Sequence, residues 1–426
     1  MRLLFVTNLY PPNTIGGYEE VCRDVADGLR RRGHDVCVLT STYGPKTSLA
    51  DDDGTLRLLA LQADWLSRAK RARPIRLFTA IHADWHNAKT VRRVISRVRP
   101  EIVIFWNGSN LGRSILSTTE EAAHMVAYYL GDRWLGEALC EGRYPARLRR
   151  TAKLVLLRAL RLNIRAVIAS HLIFVSEALK SDYAAMGVEV ADSSVILNGV
   201  SDEVFRLRTQ RITARPPGAG HRILFVGRVT PEKGVATLVS ALGKLRQRHE
   251  FQDVELSLVG VVQDDRFRRR LKALIADLGL GGSVQFVGQL PRSQLPRVYE
   301  EHDVAVFPSE WREPFGLTLI EAMAMGLPVV TTVTGGPAEI VRNHENAVIF
   351  QAGDAIDLAE KLAWVLLNPI DAAAIGERAS KHILRRFALE AQVRAFEAHL
   401  LSILRATRSG DRREQMVGTV ALGADC

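Results

Sequence analysis

Glu313 and Glu321 bracket the run Glu-Pro-Phe-Gly-Leu-Thr-Leu-Ile-Glu, and Ala-Met-Ala-Met-Gly-Leu-Pro-Val-Val and then Gly335-Gly336 follow it. Packing a core does not require two carboxylates at this spacing. Ionised, they accept hydrogen bonds from the hydroxyls of a sugar or a ribose, and a helix N-terminus beside them can hold a phosphate. The Ala, Met and Leu residues after Glu321 favour a helix, Gly326-Leu327-Pro328 ends it, and Val329-Val330 reads as a buried strand. Glu313 is therefore expected just before the helix, with Glu321 opening the helical run at or inside its first turns.

Arg228 and Lys233 flank an earlier strand-to-helix turn that Gly227 and Gly234 keep tight. A guanidinium binds phosphate bidentately and an ammonium acts as a point charge, so the pair suits a diphosphate; plain surface charge fits it as well. The Walker A spacing is absent, which makes phosphate here a leaving group rather than the γ-phosphate of ATP. Gly16-Gly17 opens the first helix, where missing side chains admit a phosphate or sugar to backbone N–H groups; a glycine turn without a ligand is the equal reading. The turn lacks G-x-G-x-x-G, which argues against a dehydrogenase. His82 and His86 have helical i,i+4 spacing without the intervening Glu of a zincin, so they read as ordinary histidines and no metal site is expected.

Residues 2–8 read as an apolar strand, Tyr18 to Arg32 as a helix and Val36 to Thr40 as a second strand, a βαβ unit. Further strands are expected at 101–106, 124–130, 171–175 and 194–197. After a polar, Pro- and Gly-containing stretch, the pattern restarts at Ile223–Val226, with strands at 255–259, 284–287, 304–307, 328–331 and 347–350. The expected fold is α/β, with two doubly wound Rossmann-like domains facing across a cleft. Residues 1–205 form the first, 206–221 a linker and 222–386 the second, with a closing helix at 387–405 that can pack back on the first.

The chain has 426 residues, 47% of them hydrophobic, enough for two or three cores. No apolar run reaches a membrane-spanning length and the start reads as a strand rather than a signal peptide. Cys22, Cys37, Cys140 and Cys426 have no metal-ligand spacing, so the expected location is the cytoplasm. The formal charge of +10 concentrates at 143–165, with eight Arg or Lys and no Asp or Glu among apolar residues. A solvated surface helix fits this stretch; so does a basic amphipathic helix on an anionic acceptor or at the inner face of the membrane. Nucleic acid is not expected, since zinc-finger spacing and an aromatic-rich surface are both missing.

The run from Pro308 to Val330 with Gly335-Gly336-Pro337-Ala338-Glu339-Ile340 closely resembles the retaining nucleotide-sugar glycosyltransferases of family four, which have two Rossmann-like domains. Gly16-Gly17-Tyr18-Glu19, Val175-Ser176-Glu177, Asn198-Gly199-Val200 and Gly227-Arg228 through Lys233-Gly234 extend the likeness along nearly the whole chain. The resemblance implies that Glu313 contacts donor-sugar hydroxyls, Glu321 binds the nucleotide ribose, and Arg228 and Lys233 bind the diphosphate. It further implies that Phe315-Gly316-Leu317 offers backbone contacts to sugar or phosphate, and that no obligatory metal or other cofactor is needed. The chain departs from the family pattern at Tyr128-Tyr129-Leu130-Gly131-Asp132, where many members carry His before Asp. Asp132 then either binds a hydroxyl of donor or acceptor or caps a loop. Ser201 replaces an Asp that often follows the Asn-Gly-Val segment.

The expected activity is transfer of a sugar from a nucleoside diphosphate sugar to an acceptor hydroxyl with retention. A sugar-nucleotide epimerase or phosphorylase on the same scaffold, or a sugar-nucleotide binder without turnover, are the alternatives. Asn107-Gly108-Ser109-Asn110 reads either as a polar acceptor loop or as a structural turn.

Overall fold

The computed structural model describes residues 1–44, 50–51, 54–62, 73–140, 169–205 and 220–408. The chain divides into two compact units, Met1–Leu197 with Val393–Cys426, and Asn198–Gln392. The basic stretch 143–165, Trp65 and all but the last two residues of the expected 206–221 linker lie outside the described residues.

The first unit holds strands β1 (Arg2–Thr7), β2 (Asp35–Ser41), β3 (Ala50–Asp51), β4 (Thr55–Leu59), β5 (Ile102–Asn107), β6 (Val126–Leu130), β7 (Leu172–Phe174) and β8 (Ser194–Val195). They form one sheet in the order β3-β4-β2-β1-β5-β6-β7-β8, parallel except for β3. Central β1 is covered on both faces, which is why Leu3, Leu4, Phe5 and Val6 form an unbroken apolar run, each with no exposed surface. The two strands not read from the sequence are β3 and β4. Arg57 breaks the apolar pattern of β4, yet it is buried, and its guanidinium donates to Tyr10 O and Pro11 O in the loop after β1.

The second unit holds β9 (Arg222–Val226), β10 (Glu255–Val259), β11 (Val284–Gly288), β12 (Val304–Phe307), β13 (Val329–Thr331) and β14 (Val348–Ile349), all parallel, in the order β11-β10-β9-β12-β13-β14. Strand order reverses between β9 and β12. That is the topological switch point, where loops at the carboxyl ends of neighbouring strands diverge and leave room for a ligand. Within this unit Asn198-Gly199-Val200 is structural. Val200 pairs with Ala388, Gly199 N–H donates to Gln392 Oε1 at 2.7 Å, and a Cβ at Gly199 would lie 2.6 Å from Leu389 Cα.

The closing helix runs Leu389–Arg408, and from Val393 onward it belongs to the first unit. Phe396 packs against Phe5, Trp106 and Tyr129 with ring centroids 6.3, 6.1 and 5.6 Å apart, and a Cβ at Gly28 would come within 2.5 Å of Val393. Among the described residues no helix is long and apolar enough to cross a membrane.

Candidate active site

The switch point is built by two loops and one helix start. The first loop leaves β9 through Gly227, whose φ of 152° and that of Gly260, 139°, let the chains pass; a Cβ at Gly260 would lie 1.9 Å from Gly227 O. The loop then forms a 3-10 turn, Pro231–Lys233, and Gly234 at φ 67° starts the helix Val235–Leu245. The second loop leaves β12 at Pro308 and runs to Gly316, whose φ of 112° turns the chain into the helix Leu317–Ala324. Gly234 packs directly on it: a Cβ there would lie 1.9 Å from Pro308 O. The helix thus begins four residues before Glu321, because the backbone reversal at Gly316, rather than the residue propensities after Glu321, sets its start. Phe315 is buried, and the first-turn amides that follow it have no intrahelical acceptor.

The structure brings Lys233 and Glu313 together. Lys233 Nζ lies 2.5 Å from Glu313 Oε1, and the Ser309 hydroxyl donates to the same oxygen at 2.6 Å. Glu313 is 5% exposed, so one carboxylate oxygen is committed to a cation and a hydroxyl inside the protein. The Lys233 ammonium also lies 5.8 Å from the Phe307 ring centre and 5.7 Å from that of Trp311. Gly335-Gly336 explains itself here. Glu313 N–H donates to Thr334 O and Gly336 N–H to Glu313 O, at 3.0 and 2.8 Å, and a Cβ at Gly335 would sit 2.3 Å from Glu313 O. Arg228 is half-buried on the first loop, its guanidinium bonded to no described residue.

Glu321 lies in the second turn of its helix, buried. The Tyr299 hydroxyl donates to its Oε2 at 3.2 Å, and Arg292 Nε stands 3.9 Å from Oε1. Burial, and then the charge of Glu321, pushes the Tyr299 hydroxyl well above its ordinary pKa, which keeps it a neutral donor. Sequence reasoning missed Ser309 as a ligand of Glu313, although it lies inside the motif. It also missed Tyr299 and Arg292, whose distance along the chain from Glu321 carries no signal.

In the first unit Gly16 caps the helix Gly17–Arg31, and its N–H donates to Glu19 Oε2 at 3.0 Å. Glu19 is buried, and that burial raises its pKa against the stabilising backbone N–H bonds from Gly16, Glu19 and Ile15. Tyr18 ties this helix start to the carboxyl ends of β5 and β6. Its hydroxyl shares its proton between Trp106 O (2.6 Å) and Tyr129 O (2.7 Å) and accepts from Gly131 N–H (2.9 Å). A side chain at 131 would meet the Tyr18 ring, with Cβ 2.1 Å from Cε2. Asp132 follows at once, and its Oδ1 accepts from Trp134 N–H at 2.9 Å, which caps the Trp134–Cys140 turn. Asn107 Oδ1 likewise accepts from Ser109 N–H, and Gly108 lies against the Trp134 ring, so the Asn107–Asn110 stretch is a built turn. Trp106 and Trp134 are buried and Trp85 is 49% exposed.

Two doubly wound parallel units, one with a cation–carboxylate pair at its switch point, define a glycosyltransferase fold of the GT-B class. The family model described as Glycosyltransferase Family 4 matches residues 15–204, and that described as Glycosyl transferases group 1 matches 209–382. The chain belongs to the family-four glycosyltransferases. It is 26% identical to an uncharacterized glycosyltransferase of Methanocaldococcus jannaschii, over 82% of this chain and 84% of that one. Its fold matches sucrose-phosphate synthase from Thermosynechococcus elongatus with a TM-score of 0.72 at 21% identity, covering 95% of this chain and 99% of the other. It also matches HepE from Anabaena, solved with UDP and glucose, with a TM-score of 0.70 at 21% identity over 94% and 100%.

Proposed function

We propose that this glycosyltransferase takes a sugar from a nucleoside diphosphate sugar and joins it to an acceptor hydroxyl with retention of anomeric configuration. The observation that carries the reading is the Lys233–Glu313 pair, an ammonium in direct contact with an enclosed carboxylate at the switch point. The two groups address opposite sides of the bond that breaks. Ser309 and Lys233 occupy Oε1 of Glu313, which directs Oε2 to a donor-sugar hydroxyl. The remaining N–H groups of Lys233, with the guanidinium of Arg228, stabilise negative charge on the departing diphosphate, and the amides of Phe315-Gly316-Leu317 add fixed dipoles. The leaving phosphate takes the acceptor proton on the face it leaves. This route does not use the two carboxylates of a glycoside hydrolase placed on either side of the bond.

Glu321 accepts from the ribose of the nucleotide. In the first unit, Gly16 and Gly17 are assigned a ligand contact of their own; the buried Glu19 carboxylate beside them disfavours a phosphate there and suits hydroxyls. Asp132, which caps Trp134 through Oδ1, is the first-unit carboxylate assigned to a hydroxyl of donor or acceptor. The solved Anabaena fold with UDP and glucose is consistent with a donor of this chemical class.

The test is mass spectrometry of purified protein with UDP-, GDP-, ADP- and dTDP-sugars, following nucleotide release and glycoside formation. Glu313→Ala and Arg228→Ala are expected to lower turnover at least about a hundredfold while the proteins stay folded. Folded variants with unchanged turnover remove the site from the reaction, and an inverted anomer in the product overturns the retaining route. An isomerised nucleotide sugar or phosphate-dependent cleavage points instead to the epimerase or phosphorylase chemistry.

A further inference from the structure

Glu321 sits in a cage of three residues, none of them adjacent to it in sequence. Tyr299, 1% exposed, donates to Oε2 at 3.2 Å, with Thr318 O as a second, longer acceptor at 3.4 Å. Arg292 flanks Oε1 at 3.9 Å, and the side chains of both Arg292 and Glu321 are almost wholly enclosed, 12% and 10% exposed. Phe205 completes the cage. Its ring lies 5.3 Å from the Arg292 guanidinium and meets the Tyr299 ring edge to face at 6.1 Å. A carboxylate held this way has one plane. Rotation about its last bond would break the Tyr299 hydrogen bond and carry Oε1 away from the guanidinium.

We propose that Tyr299 and Arg292 are positioning residues that fix the carboxylate plane of Glu321 and thereby make the site selective for ribonucleotides over 2′-deoxyribonucleotides. The inference rests on Glu321 as the ribose contact. Two neighbouring hydroxyls of a ribose reach the two oxygens of a carboxylate together only when its plane is set beforehand, whereas a single hydroxyl follows a carboxylate that turns. The cage therefore adds affinity for the diol and little for its 2′-deoxy counterpart.

The experiment is calorimetry of the full chain with UDP, ADP and GDP, each paired with its 2′-deoxy form, for the wild type, Tyr299→Phe, Arg292→Gln and Glu321→Gln. The wild type is expected to prefer the ribose form by about tenfold or more for the nucleotide that binds best, the worth of one hydrogen bond to a charged group. Tyr299→Phe is expected to shrink that ratio severalfold by weakening the ribose form, while the deoxy form binds within about twofold of wild type. A merely structural role would weaken both forms alike. Thermal melting establishes whether Tyr299→Phe is folded; if it is not, Arg292→Gln decides by the same ratio. Ratios unchanged in Tyr299→Phe and Arg292→Gln but lost in Glu321→Gln overturn the cage and leave Glu321 as the ribose contact. A wild type that binds no nucleotide, or binds both forms equally, overturns the ribose contact and the cage with it.

Discussion

Removing the Lys233 ammonium, as Lys233→Met, strands a carboxylate that is 5% exposed with Ser309 as its remaining close donor. Breaking a buried ion pair on one side costs about 3 kcal/mol, because the charge left behind is neither hydrated nor paired. Glu313→Ala is the milder cut. The Lys233 side chain is 16% exposed and flexible, so its ammonium can turn toward water, and about 1.5 kcal/mol is expected. In Lys233→Met/Glu313→Ala no charge is stranded, and the double variant should lose about 2 kcal/mol instead of the roughly 4.5 kcal/mol to which the single changes sum. Urea unfolding of the full chain, followed by circular dichroism, reads this directly. The displaced transition should be that of the second unit, since two units need not unfold together. Additivity of the two single changes to within about 0.5 kcal/mol would refute the claim that they form one enclosed pair.

Two further perturbations address the first unit. Burial pushes the Glu120 carboxyl, bonded to the Tyr128 hydroxyl at 2.5 Å, up to about 7 from 4.5. A carboxyl whose folded pKa is raised contributes its full stability below the unfolded pKa and loses it as pH rises through the folded one. Wild-type stability should therefore fall between about pH 4.5 and 7 by on the order of 3 kcal/mol from this group, a slope that Glu120→Gln should remove; parallel pH profiles would refute the assignment. Gly131→Ala forces a Cβ to 2.1 Å from the Tyr18 ring and should cost about 2 kcal/mol or more in the wild type, but much less when added to Tyr18→Ala. An equal cost of Gly131→Ala in the wild-type and Tyr18→Ala backgrounds, measured by thermal unfolding, would show that the ring is not what excludes a side chain at 131.

Much of the fold was legible because parallel strands buried on both faces are written as short, continuous apolar runs. The runs at 255–259 and 304–307 match β10 and β12 residue for residue. Strand β4 was not legible, since the buried Arg57 satisfies its donors on Tyr10 O and Pro11 O, partners that no local pattern encodes. Glu313, Lys233 and Glu321 stood out because charged residues among glycines and apolar runs do not serve a core. Glu313 falls just before the helix and Glu321 inside its first turns as expected, while the exact start at Leu317 is set by the backbone reversal at Gly316, which the apolar residues after Glu321 do not encode.

By itself the sequence determined which side chains the chain has to work with: paired carboxylates, cations beside a tight turn, and glycines where backbone must come close. Tertiary structure alone decided which of these groups meet. Lys233 touches Glu313 because Gly234 lets one loop close onto Pro308, Glu321 is caged because Tyr299, Arg292 and Phe205 converge on it, and position 131 is glycine because the Tyr18 ring lies in the space a side chain would need. Side-chain type is local information, but contact depends on where distant strands end, and that is fixed only when the sheet is assembled and its faces are buried.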